Sequence, residues 1–451
     1  MSSKRNRRCA AVAATAALVL AGCGGVGGGD EQTPEGGAVL TTMGFGLGDE
    51  VAEVRANLAN EAIAPATVQV GGSAFDAQQF LSAVASGTAP DMVFMDRQLI
   101  GTYAGRGTLM PLTECIESQD VDLSQYREAA LGEVTLNGEV YGLPEFFNNR
   151  VVLMNDAALE SAGLEPAALS TANWDALAQA TGQLTRIDAN GDLARIGFDP
   201  KIPEFLPLWA KANGVDMISA DGRTANLDDP RLVEVLEYTV GLIEQQGGWG
   251  KFKAFRESFD FFGEQNPVAA DQMAAFPMED WYLNQVASNS PDVPLVVSPF
   301  QDRQGGPVDF VTGSAWAIPT DSAHPELACT WIKTMSDAPS WVAAARARVE
   351  QRKADGEAFT GLYTANHVAD EQIFSELVQL DDLPVYDAAV SAVLEAQEHA
   401  FSMPASPAGA EFRTAWQGAV NRVLEGGQQP AEALAQAQQE AQQALDAAPQ
   451  G

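Results

Sequence analysis

Basic residues are scarce in this chain of 451 residues. It has 26 lysines and arginines against 61 aspartates and glutamates, a formal net charge of −35 at pH 7. Nucleic-acid binding needs a basic surface that contacts phosphates, so this balance excludes nucleic acid as a partner. It also gives no long-range attraction to anionic solutes, and neutral or cationic ligands fit the net charge better.

Histidine is scarcer still. His324, His367 and His399 stand at no spacing typical of a metal site, and no Gly-x-Ser-x-Gly or His-Glu-x-x-His sequence occurs. We therefore expect a protein that is not an enzyme, with no catalytic residue, no metal and no cofactor. One enzyme class stays open as an alternative, an extracytoplasmic glycan hydrolase or lyase that uses two of the many carboxylates.

Long apolar runs are missing after the beginning of the chain. A basic start is followed by an apolar run over residues 10–20, which is too short for a permanent membrane span and typical of a secretory signal. The sequence Leu20-Ala21-Gly22-Cys23 resembles a bacterial lipobox, whose cysteine is lipidated. We predict a lipoprotein signal peptide over 1–22 and a Gly-rich tether over 23–37. The protein would then be extracytoplasmic, held at the outer face of the cytoplasmic membrane through Cys23.

Cysteine is limited to four residues. Cys9 leaves with the predicted signal peptide, and Cys23 is the predicted lipidation site. Cys115 and Cys329 are far apart in sequence, and spacing alone does not decide whether they pair.

Strand and helix patterns alternate at the beginning of the predicted mature domain. Strands are predicted over 38–43, 66–70 and 92–95, and helices over 49–61 and 77–85. This alternation predicts βαβ units on a largely parallel sheet, in which ligands bind at the carboxyl ends of the strands.

Several motifs resemble those of one family, and they occur in the family's order over nearly the whole predicted mature chain. The motifs are Ser86-Gly-Thr-Ala-Pro-Asp91, Leu109-Met-Pro-Leu-Thr113, Leu136-Asn-Gly-Glu-Val-Tyr-Gly-Leu-Pro-Glu145, Gly313-Ser-Ala-Trp-Ala-Ile-Pro319, and Trp416-Gln-Gly-Ala-Val-Asn421 with Pro430-Ala-Glu-Ala-Leu434. The set resembles the extracellular solute-binding proteins of bacterial sugar ABC importers, the maltose-binding-protein-like group, here in lipoprotein form.

The resemblance implies an α/β, two-lobed, periplasmic-binding-protein-like fold of type II, with a mainly parallel sheet in each lobe and a ligand cleft between the lobes. It implies a first lobe of 38–146 plus 292–312 and a second of 147–291 plus 313–446, which includes the C-terminal helices. It also implies that the chain crosses between the lobes near 145–149, 292–298 and 312–316. It also implies a monomer that captures a carbohydrate, preferably an oligosaccharide, by lobe closure and delivers it to the transmembrane subunits of an ABC permease.

Three positions are the first candidates for ligand contact. Asp96 ends a predicted strand at the expected ligand edge, where its carboxylate accepts sugar hydroxyls or caps the next helix. Trp281 and Trp316 lie in family motifs and offer flat aromatic faces to a sugar ring, although tryptophan is most often a core residue. Weaker candidates are Phe45 in the turn after the first strand, and Trp209, Tyr282, Glu145 and Asp76.

Two other kinds of protein stay open beside the sugar receptor. Carboxylates with aromatic rings also bind ammonium groups, so a receptor for a polyamine or another cationic solute is the main alternative. A purely structural surface lipoprotein would have neither a cleft nor a ligand that raises its stability.

Overall fold

The computed structural model describes residues 37–72 and 74–449. The predicted signal peptide, Cys23 and all of the predicted tether except residue 37 lie outside the described residues. The strands are β1 Val39–Met43, β2 Thr67–Gln69, β3 Met92–Asp96, β4 Thr135–Leu136, β5 Glu139–Val140, β6 Leu143–Pro144, β7 Arg150–Asn155, β8 Arg186–Ile187, β9 Leu193–Arg195, β10 Ala275–Glu279, β11 Leu295–Pro299, β12 Asp309–Phe310, β13 Ser314–Ala317 and β14 Ala400–Phe401.

The α-helices are α1 Glu50–Ala62, α2 Ala77–Ser86, α3 Arg97–Gly105, α4 Thr113–Ser118, α5 Glu128–Gly132, α6 Asp156–Ala162, α7 Trp174–Leu184, α8 Leu206–Ala212, α9 Pro230–Glu244, α10 Trp249–Arg256, α11 Trp281–Asn289, α12 Pro325–Ser336, α13 Ala338–Asp355, α14 His367–Gln372, α15 Pro384–Gln397, α16 Gly409–Leu424 and α17 Pro430–Ala447. Within the described ranges, no helix combines the length and the apolar character that a membrane span requires.

The first sheet has the strand order β2-β1-β3-β13-β6. β2, β1 and β3 run parallel, whereas β13 is antiparallel to β3 and β6. The crossover helices α1 and α2 begin at capping aspartates, Asp49 and Asp76, whose side chains accept backbone N–H groups of the first turn. The predicted βαβ units are confirmed, and each predicted boundary is within one residue of the observed one.

Strand β13 shows how side-chain alternation divides the first core. Ala315 and Ala317 pack on one face of the sheet with Val93 and Met95 of β3. Trp316 points to the other face, into the cluster that contains residues of α1 and α12. The period of two along a strand therefore fixes the surroundings of Trp316.

The second sheet has the order β10-β7-β11, and both of its pairings are antiparallel. All six residues of β7 are buried, and the strand is rich in apolar residues, as expected for the centre of a covered sheet. The mainly parallel sheet expected in each lobe is therefore not found in this three-stranded sheet of the second lobe. The physical reason is that β7 leaves the junction between the lobes and β10 returns to it, so that the N–H of Asp280 reaches the carbonyl of Asn149.

The two segments around residue 312 belong to the opposite lobes from those predicted. The prediction gave 292–312 to the first lobe, but β11 pairs with β7 of the second sheet. It gave all of 313–446 to the second lobe, but β13 joins the first sheet and α12 and α13 pack on α1. A short apolar strand carries no local signal for which sheet it joins, so the exchange was not visible in the sequence. The helices α15, α16 and α17 pack with the second core.

A disulfide joins Cys115 in α4 to Cys329 in α12, with the two Cα atoms 5.6 Å apart. Both helices lie in the first lobe, on the face of the sheet that also holds Trp316. The pairing that the sequence left open is therefore present, and it links two cysteines that are 214 residues apart in the sequence.

Three stretches connect the lobes close to one another. Residues 146–149 and 311–313 run side by side, with the N–H of Asn148 donating to the carbonyl of Thr312. Gly313 is required there, because a β-carbon would lie 2.1 Å from the carbonyl oxygen of Phe146. The third stretch lies between α13, which packs on α1, and α15, which packs on β11. Its residues 363–365 pair with residues 145–147. The predicted crossings near 145–149 and 312–316 agree with this arrangement, whereas 292–298 lies inside the second lobe.

Candidate functional site

A cavity of about 280 Å³ lies where the two lobes meet. The first lobe contributes the end of β3 and the start of α3. The second contributes the beginning of β7, the end of β10, the loop before α8 and one face of α16. Its main polar lining residues are Asp96, Gln98, Arg150, Lys201, Glu204, Glu279, Thr312 and Arg413, and its aromatic ones are Phe205, Phe310, Phe412 and Trp416.

Asp96 occupies the position that the strand pattern predicted for it, and of the two roles considered for it the structure shows the helix cap. One carboxylate oxygen accepts the backbone N–H of Gln98 at 3.0 Å and caps α3. The other carboxylate oxygen accepts a hydrogen bond from Nη1 of Arg413 at 2.7 Å. The carboxyl end of a strand in the parallel part of the sheet thus carries a charged group into the cavity.

Arg413 belongs to α16 of the second lobe, so its ion pair with Asp96 crosses from one lobe to the other. The same guanidinium donates to the side-chain oxygen of Gln98 at 3.1 Å. Nearby, the chain before α16 packs directly on α3: a β-carbon on Gly101 would lie 2.4 Å from the backbone nitrogen of Ser406. These contacts close one side of the cavity.

Arg150 is held rigidly in the cavity wall. Its Nη1 donates to the carbonyls of Asn148 and Phe310 at 2.6 and 2.9 Å, and its Nη2 donates to Glu279 and Thr312 at 2.8 Å each. The guanidinium carbon also lies 5.1 Å from the ring centroids of Phe205 and Phe310.

The loop before α8 brings two more charged residues to the cavity. Glu204 accepts a hydrogen bond from Arg256 at 2.6 Å. Burial alone would raise the pKa of Glu204, but Arg256 and Lys201 outweigh burial and lower it. Lys201 is 9% exposed and has a positive φ of 54°. Burial, and then Arg256, lower the pKa of Lys201.

Trp281 adjoins the cavity without lining it. Its indole N–H donates to Glu279 at 2.9 Å, and Glu279 is a lining residue. The ring of Trp281 is nearly parallel to that of Phe262, at 12° and 6.1 Å between centroids, and Phe262 is 64% exposed. Phe262 and Trp281 therefore form an aromatic surface beside the cavity, and the motif-based candidate Trp281 lies next to the site.

Trp316, Glu145 and Phe45 lie in the first core instead. Trp316 is fully buried, and its indole N–H donates to Glu145 at 2.6 Å. Glu145 also accepts from Arg55 at 2.7 Å, and burial raises its pKa. Phe45 packs on Trp316 with 4.9 Å between ring centroids. None of the three lines the cavity, because the alternation of β13 points Trp316 away from it.

The other candidates also fall outside the cavity. Trp209 is fully buried in the second core, where its indole N–H donates to the carbonyl of Pro200 at 2.9 Å. Tyr282 is buried beside Phe276. Asp76 caps α2 and is exposed.

Five charged lining residues were missed from the sequence: Arg150, Lys201, Glu204, Glu279 and Arg413. Arg150 directly follows a predicted crossing and Arg413 lies three residues before Trp416 of a family motif, so position within the motifs could have drawn attention to both. Lys201 and Glu204 lie in a loop for which no motif was recognised. Over the ranges that the structure describes, no group of three or more His, Cys, Asp or Glu side chains could hold a metal ion.

Two α/β lobes joined by several neighbouring connections, with a polar and aromatic cavity between them, define a two-lobed solute-binding protein. Residues 59–349 match the family model of the bacterial extracellular solute-binding proteins, and the chain belongs to this family.

Two curated relatives are arabinooligosaccharide-binding proteins. The one from Bacillus subtilis (strain 168) is 23% identical over 256 residues, which is 55% of this chain and 56% of the relative. The one from Halalkalibacterium halodurans is 24% identical over 261 residues, which is 55% of each chain. The match thus spans only about half the length of these relatives.

Similar solved structures cover almost the whole chain. A structure of CpMnBP1 with mannotriose bound has a TM-score of 0.71 at 24% identity, and the match covers 90% of this chain and 100% of that one. An ABC substrate-binding protein from Listeria monocytogenes in complex with cycloalternan has a TM-score of 0.71 at 20% identity, with coverages of 91% and 99%. These similarities confirm the two-lobed fold.

Proposed function

We propose that this protein is the substrate-binding component of an ABC importer, that it captures a carbohydrate between its lobes, and that it does not transform the ligand. The observation that carries the proposal is the cavity at the lobe junction, where charged hydrogen-bonding groups stand among aromatic rings. Sugars need both, because hydroxyls pair with polar groups while the C–H face of the ring packs on an aromatic side chain. The sugars named for the relatives and neighbours support this ligand class.

The charges of the cavity argue against a cationic solute. Three lining residues are cationic, Arg150, Lys201 and Arg413, against the three acids Asp96, Glu204 and Glu279. A polyamine would need carboxylates that are free to pair with its ammonium groups, whereas each of these acids already accepts from an arginine. The same pairing argues against hydrolysis, which needs a carboxyl group that is protonated and free to donate.

Delivery to a permease and attachment to the membrane complete the proposal. The lipobox-like sequence that ends at Cys23 supports a lipid anchor at the outer face of the cytoplasmic membrane. Substitution of Cys23 by alanine should then move the protein from the membrane fraction to the soluble fraction, without changing its affinity for sugar. Continued membrane attachment of that variant would contradict the anchor and leave the binding function untouched.

The first experiment is a thermal-shift screen of the purified chain with neutral and acidic mono- and oligosaccharides, polyamines and amino acids. A ligand that binds only the folded state adds about 2.7 kcal/mol of stability at a hundredfold excess over its dissociation constant. A carbohydrate should raise the melting temperature and be recovered chemically unchanged. A response to polyamines alone, or turnover of the bound glycan, would contradict the proposal.

A further inference from the structure

Lys201 is placed in the cavity wall by its backbone and by two aromatic rings. Its N–H donates to Asp199 at 2.8 Å, and its carbonyl accepts from the N–H of Phe205, also at 2.8 Å. The ammonium nitrogen lies 5.9 Å from the ring centroid of Phe205 and 5.7 Å from that of Phe261. The side chain is therefore held near the cavity between two apolar surfaces.

The ammonium group of Lys201 has neither a hydrogen-bond acceptor nor an ion-pair partner among the residues that the structure describes. The residue as a whole is 9% exposed. A buried charge is costly unless it is paired and hydrogen-bonded. Three N–H donors thus lack a protein acceptor, in a residue that lines the cavity.

The other charges of the lining are already paired. Asp96 accepts from Arg413, Glu279 from Arg150, and Glu204 from Arg256, all at 2.6–2.8 Å. Asp199, the acid bonded to the backbone of Lys201, does not line the cavity. Among the described lining residues, Lys201 is therefore the one cation whose charged group does not donate a hydrogen bond to a carboxylate.

We propose that the ligand carries a carboxylate, as in a uronic-acid residue, and that this carboxylate pairs with the ammonium group of Lys201. The inference rests on the proposed function and narrows its ligand class from carbohydrates to acidic carbohydrates. Asp199, Glu204 and Glu279 attract the ammonium group electrostatically, but none of them accepts a hydrogen bond from it. A ligand carboxylate would supply both the negative charge and the acceptor at contact distance, whereas a neutral hydroxyl supplies only an acceptor. The chain's net charge of −35 does not oppose this pairing at contact distance, since salt screens exposed charges beyond about 8–10 Å.

The test uses ligands that differ only in charge. Galacturonate and glucuronate oligomers of two and three residues are compared by calorimetry with the matching neutral oligomers and with the methyl esters of the acids. At least one acid should bind about tenfold or more tightly than both its neutral counterpart and its ester. Equal or tighter binding of the neutral sugar or the ester would overturn the inference and leave the carbohydrate receptor standing, whereas no binding by any sugar would contradict both.

Variants identify the group that recognises the carboxylate. Lys201→Met should weaken binding of the acid by about 10- to 100-fold, the loss typical of a hydrogen bond to a charged group, and change neutral sugars little. Because the variant removes a buried charge, its ligand-free melting temperature should not fall.

Lys253→Met, at an exposed lysine of α10, is the matched control and should leave both affinities unchanged. Equal loss for acidic and neutral sugars in Lys201→Met would overturn the assignment, and the ester comparison on the unchanged protein tests it even if that variant fails to fold.

Discussion

Arg413 of α16 donates to Asp96 at the end of β3, with 2.7 Å between Nη1 and Oδ2, and this ion pair joins the two lobes across the cavity. Its two residues come from opposite lobes and from positions 317 residues apart. Separation of the two lobes would break the pair, so we expect it to contribute to the balance between open and closed forms.

Removal of this ion pair should favour the open form without unfolding either lobe. Both side chains are partly exposed, and such pairs typically contribute about 0.2–1 kcal/mol. Arg413→Ala should therefore lower the melting temperature little, while small-angle scattering of the ligand-free protein gives a larger radius of gyration. Arg346→Ala removes an exposed ion pair with Glu376 inside the first lobe and should leave the radius unchanged. An unchanged radius in both variants would show that the Arg413 pair does not hold the lobes together.

The two tryptophans chosen from family motifs should respond in opposite ways to truncation. Trp316→Ala removes a fully buried side chain and the donor to buried Glu145, so it should cost about 3–5 kcal/mol of folding stability in denaturant titrations. Trp281→Ala should cost less stability and weaken carbohydrate binding by about 0.5–1.5 kcal/mol, the range of an aromatic contact.

Trp249 supplies the control for this comparison, since it is also partly buried against the second core. Trp281 donates to the lining residue Glu279, whereas Trp249 packs on Phe252, which does not line the cavity. Trp249→Ala should leave sugar affinity unchanged. If Trp281→Ala and Trp249→Ala bind sugar equally well, the aromatic surface of Phe262 and Trp281 has no part in recognition.

The sequence predicted those parts of the fold that depend on local periodicity. The strands and helices from β1 to β3 follow from apolar alternation and from caps such as Asp49, which act within a few residues. The membership of β11 and β13 depends instead on long-range pairing, with β7 and with β3 and β6 respectively. Nothing in a short apolar strand indicates such a partner, which is why these two segments were exchanged.

The site was predictable only where one element carried its own signal. Asp96 ends a strand of a parallel unit, and that position alone predicts the ligand edge. Arg150, Lys201 and Arg413 meet at the cavity from three distant segments. Arg150 and Arg413 lie near recognised motifs, whereas no local pattern distinguishes Lys201 from an ordinary surface cation. Trp316 shows the reverse error, because its motif suggested the cleft while the alternation of β13 points it into the core.

The disulfide between Cys115 and Cys329 should stabilise the first lobe. It closes a long loop, and removal of such a link typically costs about 2–5 kcal/mol. A variant with both cysteines changed to alanine should melt at a lower temperature than the oxidised protein, and reductant should lower the melting temperature of the unchanged protein but not of the variant. Identical melting of the oxidised protein and the variant would mean that the link does not constrain the unfolded chain.

Asp309 should make the protein less stable as the pH rises from about 5 to about 8. Burial raises the pKa of Asp309 to about 7, against partial opposition from Arg150, whose N–H donates to it at 2.7 Å. Because the folded-state pKa lies above the unfolded value, this contribution to stability is complete below the unfolded pKa of about 4 and is lost as the pH passes through about 7. Asp309→Asn mimics the protonated acid, so it should match the unchanged protein at about pH 4 and below and exceed its stability near pH 8 by on the order of 2–4 kcal/mol. Asp228→Asn, at an exposed aspartate, should show no such pH-dependent gain. Denaturant titrations at both pH values measure the difference, and equal effects of the two substitutions at pH 8 would mean that Asp309 is ionised in the folded protein without penalty.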